Sequence, residues 1–253
     1  DVDPMDHDWI IPDWPAPGNV KSLFTTRNGG VNGSINKTYA SFNLAMHVND
    51  DCQHVERNRA LLRRYVPAAP RWLKQVHGTH PVPMDVSHPA IPEGDAAFSS
   101  TPGLVCAIMV ADCLPVFLCD AAGSAVSLAH AGWRGLAGGI IERSIAAMEK
   151  HPDELMAWLG PAIGPKHFEV GIDVYDAFVR QDAQAAQAFT PIGNSGSQKW
   201  LADIFLLAHQ RLAGQGVTRI YGGGICTFSD PERFFSYRRD GETGRMAALI
   251  WLE

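Results

Sequence analysis

Residues 104–135 read LVCAIMVADCLPVFLCDAAGSAVSLAHAGWRG, and the rest of the chain is arranged around this stretch. Apolar runs at 104–111 and 116–119 flank Asp112-Cys113-Leu114-Pro115, and a third run at 125–129 stops at His130. Runs this short and continuous, bounded by Asp, Gly and Pro, predict buried strands. A polar residue that interrupts or ends such a strand marks where a sheet meets a cleft. Cys113 and His130 are two such residues. Upstream, 71–76 predicts a strand that ends at a third, His77.

Two imidazoles and one thiol suit zinc, whose catalytic sites usually have three protein ligands and an open fourth position. His77, Cys113 and His130 are therefore the candidate metal ligands and catalytic residues. They lie 36 and 17 positions apart, so no local ligand motif brings them together. The same residues allow a second chemistry, with Cys113 as thiolate nucleophile and His130 as base. Both uses need the same deprotonated sulfur, and the sequence does not separate them. Strand alternation points Asp112 to the face opposite Cys113, as a partner for a nearby N–H or cation.

Two segments have the makings of an anion site. After His130, the small-residue loop 131–135 leads into a helix predicted over 136–150, which places free N–H groups, a helix dipole and the charge of Arg134 together. After a strand predicted over 22–26, Arg27 precedes a turn-rich loop at 28–34 with three glycines. Neither is a Walker or dinucleotide fingerprint. Asn43 stands as an isolated polar group between Phe42 and Leu44.

Elsewhere, 51–65 predicts a helix with an arginine-rich solvated face. A strand is predicted at 155–159, helix at 172–180 continuing through 181–189, and an amphipathic helix at 200–213. A strand follows at 217–221, then a hairpin of 234–238 with 245–251. The segment 93–98 serves only as the lead into the central stretch. Strands and helices mix without strict alternation, so an α/β or α+β sandwich is expected rather than a barrel.

The 253 residues carry a formal net charge of -6, with 46% hydrophobic and 19% charged residues. That is an ordinary globular balance with no overall basic field for nucleic acid or an anionic membrane. No apolar run reaches the ~18–20 residues that span a bilayer. Residues 1–8 are acidic and read as a disordered or vector-derived start, leaving 9–253 as a single domain. Five cysteines with no CxxC pair fit reduced thiols and a cytoplasmic location. No heptad or long exposed apolar stripe is evident, which favours a monomer.

The motifs Thr26-Arg27-Asn28-Gly29-Gly30-Val31, Ser41-Phe42-Asn43-Leu44, Gln75-Val76-His77-Gly78 and Ala111-Asp112-Cys113-Leu114-Pro115 occur in that order. They are followed by His130-Ala131-Gly132-Trp133-Arg134-Gly135, Leu159-Gly160-Pro161-Ala162-Ile163-Gly164 and Tyr237-Arg238-Arg239-Asp240. With these, the chain resembles over nearly its whole length the laccase-domain family, also called the polyphenol-oxidase-like, purine nucleoside phosphorylase or peptidoglycan-editing-factor family. The resemblance implies a single-domain four-layer α/β sandwich with mixed β-sheets and a zinc site at His77, Cys113 and His130. It implies phosphorolysis of adenosine, inosine, guanosine and methylthioadenosine, deamination of adenosine, and purine nucleosides and phosphate as partners. Arg27 and Arg134 are the expected phosphate holders, and Asn43, Gln75 and Asp112 the further expected substrate contacts. The family's other names imply two alternatives: a Cys–His amide hydrolase acting on peptidoglycan precursors, and copper-dependent oxidation of phenols. Copper accepts the same three ligands. A multicopper oxidase needs a separate histidine-rich cluster, and the ten histidines here form no HxH pair.

Overall fold

The computed structural model describes residues 7–30, 37–194 and 196–253. Strand β1 (Val20–Phe24) is followed by helix α1 (Cys52–Leu62), which runs into a 3-10 turn at Arg63–Tyr65. Five strands follow: β2 (Pro81–Pro83), β3 (Ala96–Ser99), β4 (Cys106–Val110), β5 (Leu114–Asp120) and β6 (Val126–Ala131). Then come helices α2 (Trp133–Gly138) and α3 (Ile140–Met148), strands β7 (Leu155–Leu159) and β8 (Glu169–Val170), and helix α4 (Ile172–Val179). The last part adds β9 (Phe189–Pro191), β10 (Trp200–Ala202), α5 (Ile204–Gly214), β11 (Arg219–Gly222), α6 (Tyr237–Asp240) and β12 (Met246–Leu252).

These strands form three sheets. A mixed six-stranded sheet has the order β11-β7-β5-β6-β3-β2, an antiparallel one the order β1-β12-β4, and a small one the order β8-β10-β9. Strand alternation assigns the layers. Phe117 and Cys119 of β5, with Leu128 and Trp158, meet Ile108, Val110, Ala248 and Ile250 of the three-stranded sheet. Val116 and Leu118 point the other way, onto a core shared with α2, α3, α4 and α5. On the outer face of the three-stranded sheet, Ala107, Met109 and Leu249 pack on Phe42, Leu44 and Leu62. Helix α1, the β1-β12-β4 sheet, the six-stranded sheet and the helical layer make the expected four-layer sandwich.

The central stretch forms strands as predicted, but its two halves lie in different sheets. Strand β4 pairs with β12 in the three-stranded sheet and β5 with β6 and β7 in the six-stranded one. Only Ala111, Asp112 and Cys113 separate them. The chain therefore changes sheet at Asp112, whose φ of +109° makes the corner. His130 lies within β6, opposite Pro115, rather than beyond its end.

Several predicted elements differ. Segment 71–76 makes only isolated bridges, Arg71 to Cys106 and Lys74 to Glu93, because Gln75 bonds a neighbouring strand through its side chain. The helix expected over 136–150 starts earlier and is broken at Gly139, where φ is +108°. The 181–189 run is a separate 3-10 segment, Ala183–Ala188, whose start is capped by Asp182. Residues 200–202 are strand, and Asp203 caps the helix after them. The expected C-terminal hairpin does not form. Phe234 and Phe235 are both fully buried, which a half-exposed strand does not allow, and Ser236 starts α6 instead.

The glycine loop is described as far as Gly30 and residues 1–8 from His7 on; the remaining parts of both expectations lie outside the described residues. His7 stacks on Trp9 at 4.0 Å, and Asp8 accepts hydrogen bonds from Thr26 and Asn28.

Phe117 is fully buried between the two large sheets, with its ring 5.2 Å from that of Trp158. Phe117→Ala should cost about 3–5 kcal/mol of unfolding free energy in denaturant titration, the range for a phenyl-sized core cavity. A loss under about 1 kcal/mol would show that this inter-sheet core does not hold the layers together.

Candidate metal centre

At the β4–β5 corner a cavity of about 840 Å³ opens between the sheets and the helical layer. His77, Cys113 and His130 line it, and their ligand atoms all lie within 4.8 Å of one another. The sequence separated these residues widely; the fold brings them to one point. Zinc–nitrogen and zinc–sulfur bonds of about 2.0–2.3 Å set tetrahedral donors about 3.3–3.8 Å apart, so these side chains need draw in by little more than about 1 Å to share one ion. Gly132 keeps the space open, since a Cβ there would lie 2.9 Å from Cys113 Sγ and 3.3 Å from His77 Cδ2.

Each donor has a distinct support. His130 is 3% exposed, and its Nδ1 is 2.7 Å from Asp95 Oδ2, which leaves Nε2 for the centre. His77 is exposed and sits in the left-handed region at φ +59°, with its ring 4.9 Å from that of His130. The N–H groups of Val76, His77 and Gly78 all donate to the Asp95 carboxylate, at 3.0, 2.9 and 2.9 Å. Asp95 is fully buried. Burial raises its pKa, but the bonds from His130, Gly78 and Val76 outweigh this and hold it below the ordinary value.

The electrostatics single out one cysteine. Burial pushes Cys113 up, but the charge of His130 and hydrogen bonds from His130 and His77 bring it down to about 6. Burial lowers His130 in turn, yet Cys113 and Asp95 raise it to about 9. The two shifts run in opposite directions, so each group favours the charged form of the other, thiolate on Cys113 and imidazolium on His130. At Cys106 and Cys119 burial, helped by Asp85 and Asp120, outweighs the charge of Arg71 and Arg219 and pushes both up to about 12. They are neutral packing thiols.

The other expected site residues divide. Arg134 is exposed at the cavity wall, stacked 4.7 Å over Trp133. Gln75 borders the cavity, but its amide donates to Met109 O and accepts from Met109 N, each at 2.8 Å. Both ends of that amide are used to hold the wall. Asp112 also borders the cavity, while its carboxylate accepts from Thr227 Oγ1 at 2.6 Å, Ser236 Oγ at 3.0 Å and Arg238 N at 2.7 Å. Burial, acting against these bonds, raises its pKa. It ties the sheet-switch corner to the C-terminal segment.

Two expected contacts lie off the cavity wall. Arg27 donates to the carbonyls of Ala40, Pro231 and Lys37 at 2.9–3.0 Å and lies 4.7 Å over Phe235, so its guanidinium braces loops instead of facing a phosphate. Asn43 is fully buried and accepts from the backbone N–H groups of Ala45 and Arg245. It acts on the cavity only by setting the backbone of Arg245.

Sequence reasoning missed Asp95 and most of the cationic wall. Arg59, Lys74, Arg238 and Arg245 line the cavity with Arg134. Among the described residues, none of these five is within ion-pair distance of a carboxylate. A run of five unpaired cations with a single, already hydrogen-bonded carboxylate makes an anion-attracting cleft. The tail motif at 237–240 was a usable signal for Arg238; nothing local marked Arg245 or Arg59.

In metal-free protein, mass-mapped alkylation of Cys113 should titrate with an apparent pKa of about 6, falling away at lower pH as the thiol protonates. Cys106 and Cys119 should stay unmodified in the folded protein, and excess zinc should protect Cys113. An apparent pKa near that of a free thiol, or no protection by zinc, would refute this assignment.

Comparison with known proteins agrees with this architecture. Residues 21–253 match the family described as "Multi-copper polyphenol oxidoreductase laccase". Purine nucleoside phosphorylase PA4543 of Pseudomonas aeruginosa is 50% identical over 245 residues, covering 97% of this chain and 98% of that protein. Purine nucleoside phosphorylase YfiH of Escherichia coli is 49% identical, covering 96% and 98%. The crystal structure of Neisseria meningitidis protein NMB0706 superposes with a TM-score of 0.92 at 50% identity, covering 97% of this chain and 99% of that one. Bacillus licheniformis YfiH gives 0.83 at 29% identity, covering 92% and 93%. With a family match over residues 21–253 and a matching fold in a half-identical neighbour, this chain belongs to the multi-copper polyphenol oxidoreductase laccase family.

Proposed function

We propose that this protein is a zinc-dependent purine nucleoside phosphorylase acting on adenosine, inosine, guanosine and methylthioadenosine, with adenosine deaminase activity. The observation that carries the reading is a His–Cys–His donor set opening into one cavity with five unpaired cations. The names of relatives about half identical to this chain add to it. Zinc is the metal favoured by two imidazoles and a thiolate with an open position; copper is the alternative.

In phosphorolysis the C1′–N9 bond of the nucleoside breaks with its electron pair going to the purine. A phosphate oxygen forms the new bond to C1′, and the purine takes up a proton as it leaves. Bound at His77, Cys113 and His130, zinc would supply Lewis-acid polarisation. The chain's own part is positioning and charge. Arg134 and Arg245, fixed by Trp133 and by the carbonyls of Thr243 and Gly244, hold the phosphate dianion in place. The aromatic walls Trp72, Trp133, Phe168 and Tyr237 flank the space for a flat base. Deamination exchanges ammonia for water at C6 of adenine and needs the same residues to hold the base. Asp112 shuttles no proton, since its carboxylate is enclosed by Thr227, Ser236 and Arg238.

One observation favours a second reading. The coupled Cys113–His130 pair has the lowered thiol pKa of a nucleophile, as a metal-independent amide hydrolase would require.

Chromatography and mass analysis of adenosine incubated with zinc-loaded protein separates the readings. Adenine and ribose-1-phosphate should appear only when phosphate is present, with inosine formed in either condition. No turnover in either would reject the nucleoside reading and leave the amide hydrolase.

Arg134→Met should raise the KM for phosphate about 10- to 100-fold, the equivalent of one charge-assisted hydrogen bond of about 1.5–3 kcal/mol. Zinc content should be unchanged. An unaltered KM for phosphate would remove Arg134 from the phosphate site.

A further inference from the structure

We propose that Asp95 is the positioning residue of the centre, a single carboxylate that sets both the ring orientation of His130 and the backbone that presents His77. This rests on the reading of His77, Cys113 and His130 as metal ligands.

The two carboxylate oxygens divide the work. Oδ1 accepts from Val76 N and Gly78 N, at 3.0 and 2.9 Å. Oδ2 accepts from His77 N at 2.9 Å and pairs with His130 Nδ1 at 2.7 Å. The main chain adds a further tie, since the N–H of His130 donates to Asp95 O at 2.7 Å.

Segment 71–76 has no strand ladder of its own, and His77 holds a left-handed φ that side-chain-bearing residues rarely adopt. Three consecutive N–H groups converging on one carboxylate compensate for that conformation and aim the imidazole at the cavity. At His130, an acceptor on Nδ1 selects the tautomer with hydrogen on Nδ1 and a lone pair on Nε2. Only that tautomer can ligate through Nε2. Carboxylates and carbonyls that bond the far nitrogen of a ligating histidine act in this way, and losing one typically weakens metal binding about 10- to 100-fold.

Asp95→Asn is a sharp test because it keeps the shape and removes one acceptor. With the amide nitrogen at the Oδ1 position, two N–H groups at 76 and 78 face a donor and the His77 segment is released. At the Oδ2 position, His77 N–H is opposed and His130 is driven to the tautomer with hydrogen on Nε2. Either flip damages at least one ligand.

Zinc affinity of the full chain is measured by competition with a chromophoric chelator, and cobalt substitution reports the thiolate–metal charge-transfer band. Asp95→Asn should bind zinc about 10- to 100-fold more weakly and shift or weaken the cobalt band. Asp120→Asn is the control for loss of a buried, hydrogen-bonded carboxylate elsewhere in the same sheet. Asp120 is 2% exposed and accepts from Ser124 N and Ala125 N at 2.7 and 2.9 Å, away from the donors. That variant should lose stability and keep wild-type zinc affinity. Should Asp95→Asn fail to fold, Asp95→Glu retains the charge but displaces the acceptors by one methylene, and it too should bind zinc at least about tenfold more weakly. A folded Asp95 variant with zinc affinity and cobalt spectrum like wild type overturns the proposal. A wild-type chain that binds no zinc instead overturns the metal reading on which it rests.

Discussion

Four N–H donors converge on the buried carboxylate of Asp95, three from consecutive residues of one loop and one from a histidine on a central strand. A carboxylate taken out of water without partners costs several kcal/mol. Packing β3 into the six-stranded sheet buries Asp95, which stands immediately before it. The favourable way to bury it brings loop 76–78 and the ring of His130 into place at once. The geometry of the centre is thus coupled to the folding of the large sheet.

The third donor depends on a different constraint. Between β4 and β5 the chain crosses from one sheet to the other within three residues. Cys113 is the last of them and so lies at the edge of the inter-sheet core, where the cavity opens. The neighbouring Asp112 takes a left-handed φ and is enclosed by Thr227, Ser236 and the N–H of Arg238. This binds the corner to the C-terminal segment, which also brings Arg238 and Arg245 to the cavity. A strained corner, a donor sulfur and a cationic wall are thereby assembled around the single buried carboxylate of Asp112.

Environment, more than residue type, decides chemistry here. Cys106, Cys113 and Cys119 occupy similar apolar runs, yet only Cys113 has cationic and hydrogen-bonding partners that overcome the effect of burial. The arginines show the same division. Arg27 is surrounded by carbonyl acceptors and serves as a brace, whereas Arg134 stacks on Trp133, has no carboxylate of the described residues within ion-pair distance, and faces the cavity.

Local pattern was enough for the strands of the central stretch, because a continuous apolar run is buried in any sheet that forms. The polar interruptions at Cys113 and His130, and the histidine at 77, were legible for the same reason: each breaks a run that has no other cause to break. The split of the stretch between two sheets was not legible, since alternation along a strand carries no record of which neighbour it pairs with. Nor was Asp95, whose importance comes from donors 17–19 residues before it and 35 after it. The break at Gly139, the loss of the C-terminal hairpin and the withdrawal of Arg27 and Asn43 from the cavity were all decided by long-range packing. Sequence alone determined which groups could do the chemistry; tertiary structure decided which of them meet, because hydrogen-bond partners and burial exist only between segments that the fold has brought together.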